Sequence, residues 1–115
     1  MTEAVPPRQR LPDRRAHRVI NFSTAEGFTY TAGIGYFADG RLAEVFLNAN
    51  KIGTAIETAA RDSAVVASLA LQHGVAPETI RHALTRNGNG EAGGPLGALL
   101  DLLASERDEG ADERR

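Results

Sequence analysis

The stretch FTYTAGIGYFADGRLAEVFLN, residues 28–48, decides the fold. Its larger residues Phe28, Tyr30, Ile34 and Tyr36 recur at period two, with Ala32 among them, and Thr29, Thr31, Gly33 and Gly35 fill the alternate positions. Successive side chains of a strand point to opposite faces, so this alternation predicts a half-buried strand. Asp39-Gly40 follows, a pair favoured in two-residue type I′ turns because both positions need φ > 0. Residues 41–48 then form the return strand.

A two-residue turn sets the register. Closing the hairpin on Asp39-Gly40 pairs Ala38 with Arg41, Tyr36 with Ala43, Ile34 with Val45 and Ala32 with Leu47. One face of the hairpin is thereby apolar and faces a core. The other face pairs Phe37 with Leu42, Gly35 with Glu44 and Gly33 with Phe46. Two glycines leave bare backbone there, which Phe46 covers or to which another chain comes close. Phe37, Leu42 and Phe46, sharing this face without evident cover, are the expected interface of a homodimer. An earlier segment, His17–Ser23, supplies a third strand turning through residues 24–27, its register open.

The second half reads as helices. Thr54 to His73 forms one long helix whose later part, AVVASLAL, is apolar nearly all round and is expected to be the central buried element. Gly74 stands where a left-handed C′ residue is wanted, and Val75 follows as its hydrophobic contact. Pro77 opens a second helix, residues 77–86, and Pro95 a third after the glycine-rich break NGNGEAGG at 87–94. Leu96, Leu99, Leu100 and Leu103 give the third helix its apolar stripe. The fold class expected is α+β: a three-stranded antiparallel β-meander followed by three α-helices, with the long helix packed on the sheet.

At 115 residues the chain holds one core, placed at residues 14–104. Residues 1–13, with Pro6, Pro7 and Pro12, and residues 105–115, SERDEGADERR, are expected to be disordered extensions. Five arginines from Arg8 to Arg18 against Asp13 alone make the arm basic from its second half into the start of the folded body. No run of some 18 apolar residues predicts a membrane span, and a cytoplasmic location is the expectation.

Catalytic readings fail on residue types and spacing. With no cysteine there is neither thiolate zinc site nor thiol nucleophile, and the three histidines show no HExxH spacing. The glycine-rich stretches GIGYFADG and NGNGEAGG fit neither the dinucleotide nor the Walker pattern. No catalytic residue, metal or cofactor is expected. One motif with a mechanism remains: VASLALQHGVAPETIRHALTR, residues 66–86, has the small residue, glycine turn and apolar anchors of a helix-turn-helix. On that alternative, Arg81 and Arg86, helped by Arg14, Arg15 and Arg18 of the basic arm, would contact nucleic acid.

The run DGRLAEVFLNANKIGTAIETAARDSAVVASLALQHGVAPETIRHAL, residues 39–84, resembles the TSCPD-type domain near the C-terminal end of adenosylcobalamin-dependent ribonucleotide reductases. The resemblance lies in the DGR turn, Glu44-Val45-Phe46, Lys51 with Gly53, the SLALQ-GV-P run from Ser68, and the glycine break before a leucine helix; it extends over residues 14–104. The chain departs from the family in lacking the Thr-Ser-Cys-Pro-Asp signature, and it has no cysteine to form a thiyl radical or a reducing pair. What the resemblance implies is an accessory, non-catalytic module that binds a protein partner in nucleotide metabolism or a small ligand. Arg41, Glu44 and Lys51, which match the family pattern, are its expected contact residues.

Overall fold

A computed structural model describes residues 7–11, 16–50 and 54–113, the side chains of 109–113 excepted. Three strands, β1 (His17–Ser23), β2 (Thr29–Tyr36) and β3 (Leu42–Ala49), precede three helices, α1 (Ala55–Gln72), α2 (Pro77–Ala83) and α3 (Pro95–Glu113). The sheet is an antiparallel meander in the order β1-β2-β3, the α+β arrangement expected. The open register of β1 resolves to Ile20 opposite Ala32 and Phe22 opposite Tyr30.

The hairpin turn differs from expectation. Phe37 N–H donates to the Arg41 carbonyl (2.8 Å) and Gly40 N–H to the Phe37 carbonyl (2.9 Å), so the loop has three residues, 38–40. Only Gly40 takes positive φ, +90°, and no non-glycine residue does, which rules out type I′ at Asp39. The geometry is a type I turn with glycine in the left-handed position after it. Thr24–Phe28 and Asn87–Glu91 repeat the same two hydrogen bonds, with Gly27 and Gly90 at φ +90° and +87°. The break at 87–94 is therefore an ordered hairpin, closed by an Arg86–Ala92 bridge.

A bulge reconciles the longer turn with the apolar pairing. Tyr36 pairs with Leu42 rather than Ala43, and the register then shifts so that Gly35 meets Glu44, Ile34 meets Val45 and Ala32 meets Leu47. The bulge re-aims the tip. Leu42 packs with Tyr36 against the core, Phe37 is 5% exposed, and Phe46 stays on the opposite face, 46% exposed, its ring beside Gly33. Phe37, Leu42 and Phe46 thus do not form the one exposed patch expected of them.

The core lies on the sheet face carrying Tyr30, Ala32, Ile34, Val45 and Leu47, where Ala60, Ala64 and Ala67 of α1 meet Leu96, Leu99 and Leu100 of α3. Those alanines let α1 approach the outer edge of β3 closely enough for side chains to take over its backbone groups. The Ser68 hydroxyl accepts from Val45 N–H and donates to Val45 C=O, both at 2.9 Å, and Gln72 Nε2 donates to the Ala43 carbonyl (3.1 Å). An edge strand left bare would present these groups for aggregation, and here a helix seals them. Because α1 sits at the sheet's flank, Val65, Val66 and Leu69 are exposed, contrary to the expectation that this part of the helix is wholly buried.

Helix ends follow local chemistry. Thr54 caps α1 by accepting from Glu57 N–H (3.1 Å). At its other end Gly74 has φ +95°, with Gly74 N–H bonded to Leu71 C=O and Val75 N–H to Ala70 C=O, the Schellman pattern the Gly-Val pair predicts. α2 stops at Ala83, short of the expected Arg86, because Leu84 turns extended and packs against the core. α3 continues to Glu113, past the expected boundary at 104. Glu106 there binds Arg18 of β1 through two hydrogen bonds, which ties the helix's extension to the sheet.

Candidate functional site: a cleft between the hairpin tip and the helical corner

The bulged hairpin tip, the α1–α2 corner and the outer half of α3 enclose a cleft of about 900 Å³. Its floor is apolar: Phe37, Leu42, Leu71, Val75, Leu100 and Leu103. The rim is charged in both signs, with Arg18, Arg41, Arg81 and Arg107 among Asp39, Glu78 and Glu106.

Most of this rim is held in place. Arg41 stacks over the Phe37 ring at 4.8 Å, donates to Asp39 Oδ2 (2.6 Å), and reaches Gln9 Oε1 (3.1 Å). The Asp39 carboxylate also accepts from Arg41 N–H, and that bond with the guanidinium lowers its pKa. Arg18 bonds both oxygens of Glu106 (2.7 and 3.1 Å) and approaches the Tyr36 hydroxyl; it holds the Glu106 carboxyl below its usual range. Arg107 has no acidic partner among the described residues.

Below the rim, Asp101 of α3 takes two arginines. Arg86 bonds both its oxygens (2.6 and 2.7 Å), and Arg81 Nε donates to Oδ1 (2.7 Å). The Arg86 bonds, then those of Arg81, pull the Asp101 pKa down to about 2 against the desolvation that opposes them. Arg81 also pairs with Glu78 (3.3 Å). A carboxylate with a lowered folded pKa stabilises fully above the unfolded value of 3.8, and this contribution is lost as pH falls towards 2. Solvent reaches 30% of the Asp101 side chain and screens part of the interaction. We expect Asp101→Asn to cost about 1–2 kcal/mol at neutral pH and to flatten the loss of stability on acidification, measured by urea unfolding across that range.

The sequence-derived site residues are dispersed. Arg41 stands on the cleft rim. Glu44 lies on the other sheet face, 5% exposed, where a Cβ on Gly35 would stand 2.6 Å from its Cγ; only glycine leaves it room to fold over β2. Lys51, like Arg14 and Arg15 of the basic arm, falls outside the described residues. Arg81 of α2 and Arg86, three residues beyond the end of that seven-residue helix, both expected to face a nucleic-acid groove, pair with Asp101 of α3. Val75, Leu103 and Glu106 also line the cleft; sequence reasoning gave the first two only packing roles, after Gly74 and in the leucine stripe, and placed Glu106 in the charged tail.

Fold and cleft define a small α+β domain with an apolar groove rimmed by charges of both signs. The chain is 35% identical over 78 residues to the vitamin B12-dependent ribonucleotide reductase of Agrobacterium fabrum. That alignment takes in 68% of this chain and 6% of the reductase, so the chain is distantly related to a short stretch of a far larger enzyme. No family model matches the chain, and no solved structure does. No helix among the described residues is long and apolar enough to cross a membrane.

Proposed function

We propose that this chain is a non-catalytic accessory module of the TSCPD kind, working in the cytoplasm in deoxyribonucleotide synthesis by docking a protein partner in the cleft. The observation that carries this reading is the pairing of an apolar floor with a rim of anchored arginines and acids. Such a surface suits an amphipathic segment, whose apolar side fills the floor while its charges meet the rim. The relationship to 6% of a ribonucleotide reductase supports an appended part over the catalytic body of that enzyme. The engagement of Arg81 and Arg86 by Asp101 leaves the helical corner little free charge for phosphates, which favours a protein partner over nucleic acid.

The test is a calorimetric titration against the cobalamin-dependent reductase of the same cell. Wild type should bind, and Val75→Asp, placing a charge on the cleft wall, should weaken binding at least about tenfold. Phe46→Asp, on the opposite sheet face, should leave it unchanged. Absence of binding by wild type, or equal loss in both variants, would reject the cleft as the docking site.

A further inference from the structure

The two edges of the sheet are treated differently. The β3 edge is closed by Ser68 and Gln72 of α1. The β1 edge has no such cover among the described residues, and its backbone polarity can be worked out. Tyr36 N–H donates to Ala16 C=O and Thr24 N–H to Phe28 C=O, which places the hydrogen-bonded rungs to β2 on the even residues of β1. The odd residues His17, Val19, Asn21 and Ser23 therefore aim their N–H and C=O groups away from the sheet. No backbone partner outside the strand takes them among the described residues. The strand is regular, without bulge or proline, and Val19 is 64% exposed, so none of the usual devices that blunt an edge is present apart from His17 and Arg18 at one end.

We propose that β1 pairs antiparallel with β1 of a second copy, joining two sheets into one of six strands. The strand fits its own copy. With the two-fold axis at Ile20, His17 faces the partner's Ser23 and Val19 faces the partner's Asn21, so all four outward residues of each chain pair. Displacing the axis by one residue, onto Val19 or Asn21, leaves one of the four unpaired. In this register the two Arg18 side chains lie at opposite ends, each across from the partner's Phe22, whereas a parallel arrangement would bring like charges together. Ile20 and Phe22, only partly buried in one chain, gain cover. Among the described residues each chain has one open edge, so pairing ends at two copies and does not grow into a filament. This dimer is independent of what the cleft binds, and it replaces the shared face of Phe37, Leu42 and Phe46 as the expected interface.

Sedimentation at micromolar concentration should give twice 12.2 kDa. Val19→Pro removes an outward N–H without breaking a rung to β2, since proline is admitted where an edge strand's N–H faces out. It should keep the native circular dichroism and raise the dimer's dissociation constant at least about tenfold. Independently, the two Ile20 Cα atoms face each other in a non-hydrogen-bonded pair, about 4.5 Å apart, within disulfide reach. In this cysteine-free chain Ile20→Cys should therefore form a covalent dimer under mild oxidation. A wild-type monomer, a dimer unaffected by Val19→Pro, or an Ile20→Cys dimer that does not cross-link would each overturn the proposal.

Discussion

Ser68→Ala should destabilise the protein by about 2–4 kcal/mol, although alanine is the better helix former. Propensity favours the substitution by only about half a kcal/mol. Against it stand two hydrogen bonds at 2.9 Å from one hydroxyl to Val45, a residue with no exposed surface. Removing the hydroxyl leaves a buried N–H and a buried C=O without partners, at about 1–3 kcal/mol for each such group. Ser63→Ala is the internal control: its hydroxyl bonds only the Ala60 carbonyl one turn back, so it should shift stability by less than about 0.5 kcal/mol. Urea unfolding of the pair decides the matter. Similar midpoints for the two variants would mean that α1 does not seal the β3 edge.

That edge also marks where sequence reading stops. The β2–β3 pairing was legible because Ala32, Ile34, Val45 and Leu47 are apolar in the only register that gathers them on one face. The turn was not, because Asp-Gly serves type I′ and also the type I turn followed by a left-handed glycine. The bulge at Ala43 hides that difference from the pairing beyond it, but it turns Leu42 and Phe37 away from Phe46. Ser68 lies 23 residues from Val45 inside an apolar run, where nothing in the spacing suggests that a hydroxyl caps a strand. The seeming all-round apolarity of α1 misled for a related reason: a helix at the flank of a sheet buries only one side, and its valines face out.

The candidate site was legible in part. Arg41, singled out by its match to the TSCPD pattern, lies on the rim of the cleft, whereas Glu44 lies on the other sheet face. The ion pairs that define the rest join residues far apart, 88 positions for Arg18 and Glu106 and 15 for Arg86 and Asp101. Asp101 carried no sequence signal, and Glu106 fell in the segment expected to be disordered, until the fold brought arginines to them. The helical corner has the Schellman cap that its Gly-Val pair predicts, and the two arginines assigned to it pair with Asp101, a partner 15 to 20 positions away.

The leucine helix supplies the other large effect. Leu99→Ala should cost about 3–4 kcal/mol, while Leu102→Ala, three residues on, should cost less than about 1 kcal/mol. Leu99 has no exposed surface and packs in the cluster with Ile34, Val45 and Leu47; Leu102 is 42% exposed on the outer side of the same helix. The first substitution leaves a cavity that the sheet and α1, both clamped by hydrogen bonds, cannot collapse to fill, so the cavity cost adds to the lost transfer energy. Leu100 and Leu103, neighbours on the same turn, form part of the cleft floor. Loosening the packing behind them should therefore also weaken whatever the cleft binds, even though Leu99 itself does not line it. Thermal unfolding of both variants separates the two positions, and equal losses would mean that the helix faces the sheet in another rotation.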